Sequence, residues 1–168
     1  MTGHVRIVND PVELVPLFVV FNNTHYKKIL ELLNKNWMTR TELGDVVGTD
    51  YVRDGLLLLR KGNLIEEKWR MPEPGKKPEK EYRANYCKVR ANFQCNFSDL
   101  GDLLAIAFTN GDDLKMKGDS VEAELLRGNC SINDIARKFG VSPVIIKGIA
   151  KRIPHLDVKG QGLVVLDE

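Results

Sequence analysis

The run from Thr39 to Arg83, TRTELGDVVGTDYVRDGLLLLRKGNLIEEKWRMPEPGKKPEKEYR, admits few folds. Thr39 and Glu42 have the spacing of a capping box, in which each side chain accepts from the other's backbone N–H. Leu43, Val46 and Val47 give the helix that follows one apolar face, and Gly48 stops it. Thr49 can cap a second helix, in which Val52, Leu56 and Leu59 recur at spacings of four and three, the period of an amphipathic helix. Gly62 ends that helix, with Arg60 and Lys61 in the last turn where cations suit the helix dipole. Leu64 to Trp69 and Lys80 to Tyr86 read as strands. Between them RMPEPGKKP carries three prolines and a glycine, so it forms neither helix nor strand.

Helix, turn, helix, strand, wing, strand is the winged-helix arrangement. It presents its second helix to the major groove of a duplex and its wing to the backbone or an adjacent minor groove. Charge supports that use. From Arg60 to Arg90 there are ten Lys and Arg against five Glu, an excess able to release counterions from DNA phosphates. Two features weigh against it: Asp50 and Asp54 lie on the recognition helix and would repel phosphate, and winged helices also serve as protein–protein modules.

The net charge of +2 hides an uneven distribution. Residues 1–59 sum to −1, 60–90 to +5, 98–124 to −5 and 125–168 to +3. Two basic regions around an acidic one suggest two DNA-facing surfaces joined by a segment with another task. The three cysteines, Cys87, Cys95 and Cys130, are irregularly spaced and form no CxxC, so neither a zinc ribbon nor a redox motif is supported, and reduced thiols in a cytoplasmic protein are expected. Arg6, Asp10 and Glu13 interrupt any signal-peptide pattern, and LVPLFVVF is too short to span a membrane.

Along the chain, HVRIV reads as an edge strand or arm, and Asp10 can cap a helix with Pro11 at its first position. The apolar Leu14–Phe21 stretch must then pack either on its own domain or on a second copy of the chain. Thr24 starts the first helix of the winged-helix trio. Isolated His4, His25 and His155 are surface residues. Tyr86 to Phe97 alternates as a strand or a pinned linker. Ser98 caps an apolar helix with Leu100, Leu103, Leu104, Ala107 and Phe108 on one stripe, suited to dimerisation or to filling a core, and Gly111–Asp119 reads as a hinge or helix start.

A second helix-turn-helix is written from Ser120 onward. Ser131 and Asp134 mark a helix start, Ala136 allows a close crossing, Gly140 makes the turn, and Ser142-Pro143 begins the next helix. Val144, Lys147, Lys151 and Arg152 are expected on its solvent face, with cations suited to phosphate contact more than to base reading. HLDVKGQGLVVLDE closes the chain as a small second wing. The fold class is therefore mainly α with small β-wings (α+β), two winged-helix units, divided as arm 1–23, winged helix 24–90, linker and apolar helix 91–119, and second unit 120–168.

Residues 24–86 resemble the winged helix of ArsR- and MarR-type regulators. RIVNDPVELVPL, GLLLLRKGNLIEE and PEKEYRANYCKVRANFQCNFSDLGDLLAIAF look like archaeal ArsR-like regulators, and SINDIARKFGVSPVIIKGIAKRI is similar to many helix-turn-helix segments. The resemblance implies a homodimeric DNA-binding transcription factor, with recognition helix Thr49 to Lys61 and wing Arg70 to Lys80. ArsR metal sensors carry paired cysteines where this chain has TELGDVVGTDY, so metal sensing there is not supported. The candidate contacts to double-stranded DNA are Arg40, Thr49, Tyr51, Arg53 and Arg60 on the helices, and Lys68, Arg70, Lys76, Lys77 and Lys80 on the hairpin and wing. Ser142, Lys147, Lys151 and Arg152 are the candidates in the second unit. No cofactor or metal site is expected, and no hydrolase, zinc-protease, Walker or dinucleotide motif points to an enzyme. The alternative is a winged-helix adaptor that binds the transcription machinery. RNA binding is a third reading, but Trp69, Tyr82 and Tyr86 alternate as strand residues rather than as a stacking platform.

Overall fold

The computed structural model describes residues 3–166. In chain order its elements are β1 (Val5–Val8), α1 (Leu14–Phe21), α2 (Thr24–Lys35), β2 (Met38–Thr39), α3 (Arg40–Val47), α4 (Thr49–Lys61), β3 (Ile65–Arg70), β4 (Glu79–Ala84) and β5 (Lys88–Ala91). The second half continues with α5 (Phe97–Phe108), α6 (Gly111–Leu126), α7 (Ile132–Phe139), α8 (Pro143–Arg152), β6 (Leu156–Lys159) and β7 (Gly162–Val165). This is the mainly α architecture with small β-wings: α3 and α4 precede the β3–β4 hairpin, and α7 and α8 precede the β6–β7 hairpin.

The first unit follows its local signals closely. Thr39 Oγ1 accepts from Glu42 N at 3.2 Å and Glu42 Oε2 accepts from Thr39 N at 2.8 Å, completing the capping box. Gly48, at φ 102°, both ends α3 and precedes α4. Thr49 is therefore the first helical residue and not the cap expected of it, because Gly48 takes the cap position in a backbone conformation that L side chains rarely adopt. Helix α4 passes so close to α2 that a Cβ at Gly55 would stand 2.8 Å from Ile29 Cδ1. Strands β3 and β4 pair antiparallel, and β2 adds to the other side of β4 through Met38 and Thr39.

The N-terminal segment is built into this unit. Asp10 caps a 3-10 turn, Pro11–Glu13, and Val12, Val15, Val19 and Val20 join the core of Ile29, Leu33, Leu43, Val52 and Leu59. Strand β1 pairs in parallel with β5, so the expected arm is one half of a two-stranded ribbon. Helix α5 starts at Phe97, two residues earlier than a Ser98 cap would allow, with Asn96 in extended backbone before it. The polar Gly111–Asp119 stretch is the first half of the unbroken helix α6.

In the second half, Ser131 Oγ accepts from Asp134 N at 3.3 Å and Gly140 turns the chain at φ 66°. Val121, Ile132, Ile135, Ile146, Ile149, Leu156 and Leu163 form a second core. Helix α8 belongs to both cores: Ile146 and Ile149 fill the second, while Val144 packs against the first. A Cβ at Gly148 would lie 3.0 Å from both Leu103 and Ile106 of α5. The expected solvent face of α8 is thus corrected. The run Val144-Ile145-Ile146 leaves apolar side chains on more than one side, and the neighbouring α1 and α5 cover them.

Candidate nucleic-acid interface

Helix α4 buries Val52, Leu56 and Leu59 and leaves Thr49, Tyr51, Arg53 and Arg60 exposed. Arg53 and Arg60 line a concave patch with Leu57, Arg40 from the start of α3 and Tyr82 from β4. Three guanidinium-bearing side chains from two helices thus meet around one depression of about 90 Å³. Sequence reasoning found the arginines but not Leu57 or Tyr82, which shape the wall; Tyr82 arrives through strand pairing rather than local periodicity. The Tyr51 ring stacks on His25 at 3.7 Å, which fixes it beside the start of α4. Asp50 is exposed on the same turn. Asp54 instead faces Tyr26: burial, and then the Asp54 charge, push that phenol's pKa up.

The hairpin cations are held by carboxylates of the same unit. Arg60 Nε lies 3.7 Å from Glu67, and Lys80 Nζ donates to Glu67 Oε1 at 2.7 Å while standing 5.5 Å over the Trp69 ring. Lys68 lies 4.0 Å over Trp37 and 3.4 Å from Glu81. Arg70 donates to Glu42 Oε1 at 2.6 Å and to Glu81 Oε2 at 2.7 Å. These bonds hold both carboxyls below the usual carboxylate range and raise the guanidinium pKa further. Arg70 therefore ties the base of the wing to the capping box of α3. Beyond it, residues 71–78 are all exposed; Lys76 pairs with Glu73 and Lys77 stands beside them.

The four candidates on or before α8 do not share this surface. Lys147 lies 3.9 Å from Asp10, and Lys151 is bound to Asp157 at 2.7 Å with little exposure. Arg152 donates to the Thr109 carbonyl at 3.1 Å, and burial lowers its pKa. Ser142 Oγ is buried without a hydrogen-bond partner among the described residues. Lys61 lies in the last turn of α4 as expected, but the destination of its side chain was not visible in the sequence. Instead of serving its own helix end, its ammonium crosses to the C-terminal end of α8 and donates to the carbonyls of Ala150, at 2.7 Å, and Ile153.

Cys87, Cys95 and Cys130 are exposed free thiols. No helix among the described residues is long and apolar enough to cross a membrane. The family model of the ArsR transcriptional regulator matches residues 8–167. No curated protein matches the chain.

Proposed function

The chain belongs to the ArsR family of transcriptional regulators, and from that premise we propose that it is a cytoplasmic regulator that binds double-stranded DNA as a homodimer. Helix α4 enters the major groove and the wing, Arg70 to Lys80, follows the backbone. One observation carries the reading: Arg40, Arg53 and Arg60 converge on the exposed side of α4, where a fork of donors suits both phosphate and the guanine edge. Lys76, Lys77 and Lys80 supply the backbone term, and Thr49 and Tyr51 approach at the helix start. Lys68 and Arg70 orient the wing through the buried Glu81 more than they contact phosphate, whereas the Glu73 and Glu67 partners of Lys76 and Lys80 are more open to solvent and can give way to it. Ser142, Lys147, Lys151 and Arg152 reach DNA only if α8 leaves its seat on α1 and α5. The resemblance of RIVNDPVELVPL and PEKEYRANYCKVRANFQCNFSDLGDLLAIAF supports an archaeal origin.

A second reading, a winged-helix adaptor for the transcription machinery, is favoured by Glu42, Glu67 and Glu81, which neutralise much of the hairpin's charge. Selection from random duplex DNA at near-physiological salt separates the two. A regulator enriches a palindrome whose half-site spacing reports the distance between recognition helices. Arg53→Ala and Arg60→Ala should each relax the preference at particular positions by about 1–3 kcal/mol. Absence of any motif, with binding abolished by modest salt, would leave the adaptor.

A further inference from the structure

Separate from the arginine patch, with no lining residue in common, α1, α2 and the β1–β5 ribbon line an open groove of about 490 Å³. Its walls are Leu14, Leu17, Phe21, Leu30 and Val89, with Phe21 and Val89 more than half exposed. A volume in this range, apolar with a few polar groups, is that of a small-molecule site (about 300–1,000 Å³). The polar groups are unequal in sign. Arg6, Lys27 and Lys88 line it against Glu31. Arg6 is already bound to Glu13 and Glu31 lies 4.0 Å from Lys28, whereas Lys27 and Lys88 are exposed and pair with no carboxylate among the described residues.

We propose that this groove binds a small amphiphilic anion, with an alkyl or aryl body on the Leu14, Leu17, Phe21 and Val89 walls and a carboxylate-like head on Lys27 and Lys88. The charge balance selects the class. A neutral apolar molecule would leave both ammonium groups unused, and a cation would be repelled by them. The groove also abuts the recognition helix: Arg6 on its wall donates to the carbonyl of Gly62, the residue that ends α4, at 3.2 Å. The site stands apart from the DNA reading, since its test contains no DNA.

The test is calorimetric titration of the full chain with decanoate, below its micelle concentration, and with 1-decanol as the uncharged match. Saturable binding of one decanoate per chain is expected, with decanol at least about tenfold weaker. The double variant Lys27→Glu, Lys88→Glu, at two exposed positions that the fold does not need, should lose a similar factor. Leu17→Trp, which fills the groove, should abolish binding with the helical circular dichroism retained. Equal affinity for decanoate and decanol, or an unchanged double variant, overturns the proposal. So does the result expected of a groove covered by a second copy: no decanoate binding, and a Leu17→Glu chain that changes from dimer to monomer.

Discussion

Arg70 and Lys61 are both cations at the edge of the first unit, and their surroundings make stability rise with pH in two separate windows. Arg70 holds Glu42 and Glu81 below the usual carboxylate range, so folding is favoured while both are ionised and loses that contribution as acid protonates them. Arg70→Met should lower the thermal midpoint at neutral pH and flatten the acid limb of the stability curve. Parallel acid limbs in wild type and variant would remove Arg70 from the stabilising set. Lys61 acts with the same sign in a higher window, because burial pushes its ammonium down to about 7 from 10.5. Between those values the unfolded chain binds a proton that the folded chain does not, so stability rises with pH, by at most about 1.4 kcal/mol per unit. Urea unfolding at neutral and alkaline pH should show this rise in wild type and not in Lys61→Met. Equal slopes would mean that the Ala150 and Ile153 carbonyls keep the ammonium charged inside the fold.

Among the elements, the wing is where charge and geometry can be separated experimentally. Lys76, Lys77 and Lys80 project from or beside an exposed loop with no core role, so their triple alanine variant should fold normally. It should bind all DNA sequences more weakly, and its salt dependence should flatten by about one unit for each phosphate that the wing no longer neutralises. An unaltered salt slope would take the wing off the DNA. The wing was legible in the sequence because prolines and glycine act locally, as were the Thr39–Glu42 box, the Ser131–Asp134 start and the Gly140 turn, each settled within a few residues. What the sequence concealed is non-local. Two-residue β2 leaves no period, β1 meets β5 some eighty residues later, and Arg70 reaches back 28 positions to Glu42. The burial of α8 had a visible signal in Val144-Ile145-Ile146 and Gly148, a stretch too apolar for a helix with one free face. The arginines were legible as cations, but that three of them share one depression depends on how α3, α4 and β4 pack.

At the scale of the whole molecule, the two cores are joined rather than tethered. Helix α5 gives Leu103 and Ala107 to the first core and Ile106 to the second, and α8 packs against both. Lys61 and Arg152 add hydrogen bonds across the same junction. A chain built this way should unfold in one cooperative step. Trp37 and Trp69 both lie in the first unit, so their fluorescence reports that unit alone, whereas helical circular dichroism reports both. The two denaturation curves should coincide for wild type; separate midpoints would show that the units are independent and that the junction contributes little. The close pass at Gly148 supplies the second arm of the test. Valine is a better helix former than glycine, so intrinsic propensity would favour Gly148→Val by a few tenths of a kcal/mol. Its side chain, however, would push against Leu103 and Ile106, which already stand 3.0 Å from a Cβ position. The variant should therefore lose stability through the helix crossing alone, and its dichroism should acquire an earlier transition that tryptophan fluorescence does not see. Release of α8 in that variant would also expose Lys147 and Lys151. Added salt-sensitive DNA affinity at that point would reveal a second binding surface held shut by packing, while unchanged affinity would leave α8 as a strut between the two cores.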